Sequence, residues 1–228
     1  MTGAIDNNGR NKGRSKMSNP SLDPDPGVVS LFTGELDDMA CKAVEKRRLL
    51  GNEVSVLLFG QNVGTAAVRM AAAGARVVVD SAVGELPSRS GLRAAPLPLA
   101  PLPDVADFPE APFDLIVGQL ALHPLRYEEA RKVVRQLLLT LKIGGKLYLS
   151  AYGLHSTLGD HYPDSDKLIE ERYAALPPTL AASYGLPTGP LCLYSERNLI
   201  TLLFGIGASV LQSATGAFGN VRAVAVRV

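Results

Sequence analysis

Residues 54–80 run in a fixed order: an apolar stretch, a glycine turn, a helical pattern, a second apolar stretch and an acid. That order constrains the fold more than any other feature of the chain. Residues 54–59 are almost wholly apolar, as a parallel strand covered on both faces must be. They run into Gly60-Gln61-Asn62-Val63-Gly64, a helix is predicted over 65–73 with Gly74 as its stop, and a strand over 76–79 ends at Asp80. Strand, glycine turn, helix, strand and acid together form the pattern of a nucleotide-binding βαβ unit.

The rest of the chain extends this unit. Upstream, Leu36, Met39, Ala40, Ala43, Val44 and Leu50 recur at helical spacing, which predicts an entry helix over 35–50 ended by Gly51 and Asn52. Downstream, prolines crowd residues 81–112, leaving room for a short strand at 92–95 but not for a regular crossover helix. A strand at 114–117, a helix at 127–141, a Gly144-Gly145 turn and a strand at 146–150 follow. Residues 151–194 form an insertion too long for a plain connection, with a helix predicted at 166–175, and such a segment usually caps a site. Ser195 is placed to cap a further helix, and β-type runs at 208–213 and 221–228 around Gly216 and Gly219 suit an antiparallel hairpin. The expected architecture is α/β: a doubly wound, mostly parallel seven-stranded sheet, helices on both faces, and a C-terminal antiparallel hairpin.

Composition narrows the partners. The chain has 228 residues, 46% hydrophobic and 20% charged, which suits one large core over 27–228. Residues 1–26 are polar and rich in Gly, Asn and Pro, so they read as a mobile arm in which Met17 is a candidate start. A net charge of +1 provides no field to attract nucleic acid or an anionic membrane. Cys41 and Cys192 are far apart and lack metal-ligand spacing, so they read as buried thiols and no metal site is expected. With no apolar run long enough to cross a bilayer and no leader pattern, a cytoplasmic location is expected.

Four segments carry a family resemblance. VSVLLFGQNVG, ARVVVD, FDLIVGQLALHPL and LLLTLKIGGKLYLS stand, in order and at matching separations, where the class I S-adenosylmethionine-dependent methyltransferases have their first strand and glycine loop, second strand and acid, fourth strand and loop, and fifth strand. The likeness covers about 35–228. It implies S-adenosylmethionine as cofactor, with Gly60, Gln61, Asn62 and Gly64 at its amino-acid end, Asp80 on the ribose hydroxyls, and Gln119 beside the reactive methyl. His123, Tyr152, His155 and His161 are substrate-side candidates, Asp160 a polar group of the lid, and no catalytic residue is singled out. Tyr148 reads as packing, and Arg131, Lys132 and Arg135 as a solvated helix face.

The chain also departs from the family pattern. Leu58 stands where an acid is usual, Asn62 replaces the middle glycine of a now degenerate loop, and only Asp104 or Asp107 is available for the adenine amino group. The loop lacks the G-x-G-x-x-G of nicotinamide-dependent dehydrogenases. Without an Asn-Pro-Pro-Tyr type sequence after the fourth strand, the resemblance implies a small-molecule or protein side-chain acceptor. Two functions follow: a methyltransferase, or a silent scaffold of that fold paired with its own copy or with a related methyltransferase.

Overall fold

The computed structural model describes residues 26–99, 108 and 110–228, with side chains from Glu35 onward. Apart from Pro26, the arm read over 1–26 lies outside the described residues, as do Met17, Asp104 and Asp107. Helix α1 (Pro26–Leu49) starts at Pro26, not at 35. Proline suits the first helical position because the N–H it lacks would have no intrahelical partner there. Lys46, Arg47 and Arg48 in the last turn complement the negative end of the helix dipole.

Strand β1 (Ser55–Gly60), helix α2 (Gly64–Ala72) and strand β2 (Arg76–Asp80) build the predicted unit almost residue for residue. Between β2 and β3 (Leu92–Ala95) the chain forms a single 3-10 turn, Ser81–Val83, and no longer helix. Strand β4 (Phe113–Gln119) is longer than expected and includes Gln119, which the sequence had placed just beyond it. Helix α3 (Tyr127–Thr140) leads straight into β5 (Leu141–Ala151), so Gly144 and Gly145 lie inside the strand instead of forming the turn before it. The extra length is absorbed by a register shift opposite Phe113 and Leu115.

The 151–194 insertion contains the two-residue strands β6 (Ala174–Ala175) and β7 (Pro190–Leu191), paired antiparallel, and the short helix α4 (Pro178–Ser183). The helix predicted at 166–175 is absent. Arg172 is buried there, and its guanidinium donates to the carbonyls of Asp164, Lys167 and Leu193, while the Asp164 carboxylate accepts from Tyr173 N–H. These bonds occupy backbone groups that a helix would have used, so tertiary partners override local propensity. Helix α5 (Glu196–Gly205) starts at Ser195, whose hydroxyl accepts from Asn198 N–H, and β8 (Ala208–Thr215) and β9 (Val221–Arg227) form the terminal hairpin.

The seven main strands lie in the order β3-β2-β1-β4-β5-β9-β8, all parallel as far as β5, with β9 and β8 antiparallel. Alternation along each strand feeds two cores. Val56, Leu58, Val77, Val79, Leu115 and Val117 pack against α1 and α2. Leu57, Phe59, Val78 and Ile116 pack against α3 and α5. The order in which strands are added switches sides between β1 and β4, so the crevice beyond their carboxyl ends is where ligands bind in open sheets of this kind. Among the described residues no helix is long and apolar enough to cross a membrane.

Candidate functional site

Gly60 ends β1 beside Gln119 of β4, and Gln61 N–H donates to the Gln119 carbonyl at 2.8 Å. Glycine is required at this position because φ is +95° and a Cβ would lie 2.0 Å from the Gln119 oxygen. The exposed Asn62 also has positive φ, 56°, a conformation that Asn tolerates among side-chain-bearing residues. At Gly64, the first residue of α2, a Cβ would meet Val83 and Leu86 at 3.1 and 3.2 Å, so the stretch after β2 leans on this glycine.

Asp80 ends β2, half-buried, and its Oδ1 accepts from Ala82 N–H at 3.1 Å and Leu97 N–H at 3.4 Å. It therefore caps the 3-10 turn and holds the irregular segment that leaves β3. Among the described residues nothing bonds to its Oδ2.

On the α1 side of the edge, Leu58 is fully buried in the apolar core. Gln119, two places farther along the same face by its pairing with Gly60, is also fully buried. Its Nε2 donates to Asp37 Oδ1 at 2.9 Å, and its Oε1 accepts from the Ser150 hydroxyl, which in turn accepts from Leu120 N–H at 3.0 Å. Burial pushes the Asp37 carboxyl up to about 6, although the Gln119 amide draws it partway down. The sequence reading did not pick out Asp37. In a helical pattern it is one more polar residue beside Asp38, and only the docking of α1 brings it to Gln119.

The substrate-side candidates separate into two sets. Tyr152 is buried just past β5 and donates its hydroxyl to Gln61 Oε1 at 2.7 Å, while its ring meets the His123 ring edge-on at 5.1 Å. His123 Nδ1 lies 3.0 Å from the Leu120 carbonyl, and burial pushes its pKa down to about 4. A carbonyl can only accept, so Nδ1 carries the proton and Nε2 is the acceptor of a neutral ring. His155, Asp160 and His161 are exposed on the insertion. Tyr148 is buried in the α1-side core, and Arg131, Lys132 and Arg135 are exposed on α3.

A cavity of about 230 Å³ opens at the same edge, lined by Glu35 and Leu36 of α1, Ser150 of β5, and Phe218, Asn220 and Arg222 of the hairpin. Ser150 is shared by its wall and by the hydrogen-bond chain to Asp37. Among the described residues no group of His, Cys, Asp or Glu is placed to hold a metal ion.

No family model and no curated protein matches the sequence. Solved structures do match the fold. A methyltransferase from Mesorhizobium loti shares 14% identity at a TM-score of 0.59, covering 85% of this chain and 99% of its own. Magnesium protoporphyrin IX methyltransferase from Synechocystis, solved with bound S-adenosylhomocysteine, shares 16% at 0.54, covering 96% and 90%. A Methanosarcina mazei methyltransferase shares 18% at 0.55, covering 77% and 93%. With the strand order, the glycine turn and the terminal hairpin, these likenesses identify the chain's architecture as the class I S-adenosylmethionine-dependent methyltransferase fold.

Proposed function

We propose that this protein binds S-adenosylmethionine at the carboxyl edge of β1 and β2 and transfers its methyl group to a small molecule or a protein side chain. The observation that carries the reading is Asp80, a half-buried carboxylate at the end of β2 with one oxygen fixing the local backbone and the other uncommitted. A carboxylate oxygen accepts more than one hydrogen bond, which is what a ribose diol requires. Two neighbouring features support the reading: Val83 offers half-buried apolar area, and the Gly60–Gly64 turn exposes Asn62. Gly60, Gln61, Asn62 and Gly64 would hold the amino-acid end and Asp80 the ribose.

Bound there, the sulfonium supplies an activated methyl group, so the protein has only to align an acceptor and exclude water. Tyr152 links the insertion to the glycine turn through Gln61, and His123 packs against Tyr152. These contacts support a role for both in shaping the acceptor side. Gln119 acts from behind: its amide is committed to Asp37 and Ser150, so it braces the edge and does not reach an acceptor itself.

One observation favours the silent scaffold, which would pair with its own copy or a related methyltransferase. Leu58 is fully buried and supplies no carboxylate, and losing such a contact weakens binding by about tenfold to a hundredfold. Calorimetric titration with S-adenosylmethionine and S-adenosylhomocysteine separates the two. Saturable binding in the micromolar to low millimolar range is expected for the enzyme, and no heat at millimolar ligand leaves only the scaffold.

A further inference from the structure

The carboxylate missing from β1 has a counterpart on another element. We infer that Asp37 of α1 receives the ammonium group of the adenosyl ligand's amino-acid portion, an inference that rests on the adenosyl-binding reading above. Leu58, Gly60, Val117, Gln119, Tyr148 and Ser150 lie on the one face of β1, β4 and β5 that looks toward α1. Asp37 reaches that face from above and meets Gln119, the register partner of Gly60. A negative charge therefore sits beside the glycine turn, on the side where an acid at position 58 would have projected.

Three hydrogen bonds among the described residues run in one direction toward Asp37. Leu120 N–H donates to Ser150, the Ser150 hydroxyl to Gln119 Oε1, and Gln119 Nε2 to Asp37. Because Ser150 supplies a proton to Oε1, the amide can only turn its donor end toward the carboxylate, and bonds aligned this way strengthen one another. Every donor in the chain points at the anion.

Among the described residues Asp37 has no cation bonded to it. The neighbouring acids have theirs: Asp38 pairs with Lys42 and Arg69, and Glu35 with Arg222. Among the described residues no Lys or Arg pairs with Asp37, and residues 26–34 contain neither type. A partly desolvated carboxylate with only a neutral amide beside it is unfavourable until a positive charge arrives. An alkylammonium brings a positive charge and hydrogen-bond donors to a carboxylate; a neutral or anionic ligand brings no such charge.

The test compares two adenosyl thioethers, one with and one without the amino-acid portion, on the full chain. S-adenosylhomocysteine carries the ammonium, whereas 5′-methylthioadenosine keeps the adenosyl thioether and lacks the amino-acid portion. Asp37→Asn is expected to weaken S-adenosylhomocysteine by about tenfold to a hundredfold and leave methylthioadenosine unchanged. Asp38→Asn, the adjacent carboxylate, is expected to change neither.

The affinity of the unmodified chain for S-adenosylhomocysteine should also fall as pH drops through about 6, where Asp37 takes up a proton, and this slope should vanish in Asp37→Asn. Burial pushes the Cys41 thiol up to about 11 and the Tyr148 hydroxyl above its usual value, and the adjacent Asp38, bonded to Lys42 and Arg69, is held below the ordinary carboxylate range. Glu35 is paired with Arg222.

Equal losses for both ligands in Asp37→Asn would mark a purely structural role and overturn the inference. So would unchanged binding of S-adenosylhomocysteine, which leaves the adenosyl-binding reading standing. If the unmodified chain binds neither ligand, that reading falls and this one with it. Methylthioadenosine binding also reports whether Asp37→Asn is folded.

Discussion

Two irregular segments flank the candidate site, and they are held in different ways. Among the described residues, the stretch between β2 and β4 and the 151–194 insertion both lack long helices, and both contain prolines and glycines. The insertion nevertheless has an interior of its own. Leu158, Tyr162, Leu176, Leu180, Leu186, Leu191 and Leu193 form an apolar cluster with Leu120 and Tyr152, and Arg172 is buried beside it. In residues 81–99 only Ala95 and Leu97 are buried, and the outer side is held by an ion pair, Arg93 with Glu110, in contact with solvent. Scarcity of regular structure therefore says little about how firmly a segment is fixed. What matters is whether its backbone groups find buried partners.

Breaking the insertion at Arg172 is expected to have the largest effect. Its guanidinium satisfies three backbone carbonyls and Asn198 Oδ1, at distances from 2.7 to 3.4 Å. Arg172→Met keeps apolar bulk but strands those acceptors, which predicts a loss of about 3 kcal/mol and a fall in Tm of about 6–12 °C. A loss below about 1 kcal/mol in thermal or urea unfolding would mean that the cluster, not the buried charge, secures the insertion.

Tyr162→Phe probes the same region more gently. The hydroxyl donates to the Leu191 carbonyl and accepts from Ala174 N–H, so it joins β6 to β7 from the side. Losing both bonds in a buried setting predicts about 1–2 kcal/mol. Amide exchange should quicken around 174 and 191 while β1 and β4 stay protected, and acceleration throughout the sheet would contradict a separate interior for the insertion.

The same contrast explains what was legible in the sequence. The strands of the main sheet were, because long apolar runs between glycine turns have few alternatives, and β3 emerged at its predicted residues even amid prolines. The insertion was misread where Leu168 and Ile169, followed by Glu170, Glu171 and Arg172, imitate a helix. Leu168 is in fact exposed and Arg172 buried, the reverse of what its local pattern suggests. Asp80 could be placed at the end of β2 from order alone. Asp37 could not, because its importance depends on the angle at which α1 crosses the edge, and no local pattern encodes that.

Asp80→Ala tests the crossover side at the point where it meets the site. Removing the carboxylate frees the N–H groups of Ala82 and Leu97, which predicts about 1 kcal/mol of destabilisation, as for a lost cap. Because both test ligands carry a ribose, binding of S-adenosylhomocysteine and methylthioadenosine should weaken together, by about tenfold or more. This is the opposite of the selective loss expected at Asp37. Weakening of one ligand alone would mean that Asp80 does not face the shared adenosyl portion.

The smallest effect is expected where charge is most exposed. Arg93 Nε and Nη2 donate to the two Glu110 oxygens at 2.9 and 2.8 Å, a bidentate arrangement that spans β3 and the approach to β4. The guanidinium holds the Glu110 carboxyl below its usual range. The pair is in contact with water, with side chains 42% and 19% exposed, so screening reduces its value and Arg93→Ala should cost less than about 1 kcal/mol. A carboxyl with a lowered folded pKa adds stability that is present above its ordinary value and fades as pH falls through the lowered one, so the cost should be visible at neutral pH and disappear in acid. It should also shrink in high salt. An Arg93→Ala loss near that of Arg172→Met, insensitive to both pH and salt, would mean that the β3 margin has a buried anchor of its own and that the two segments are held alike.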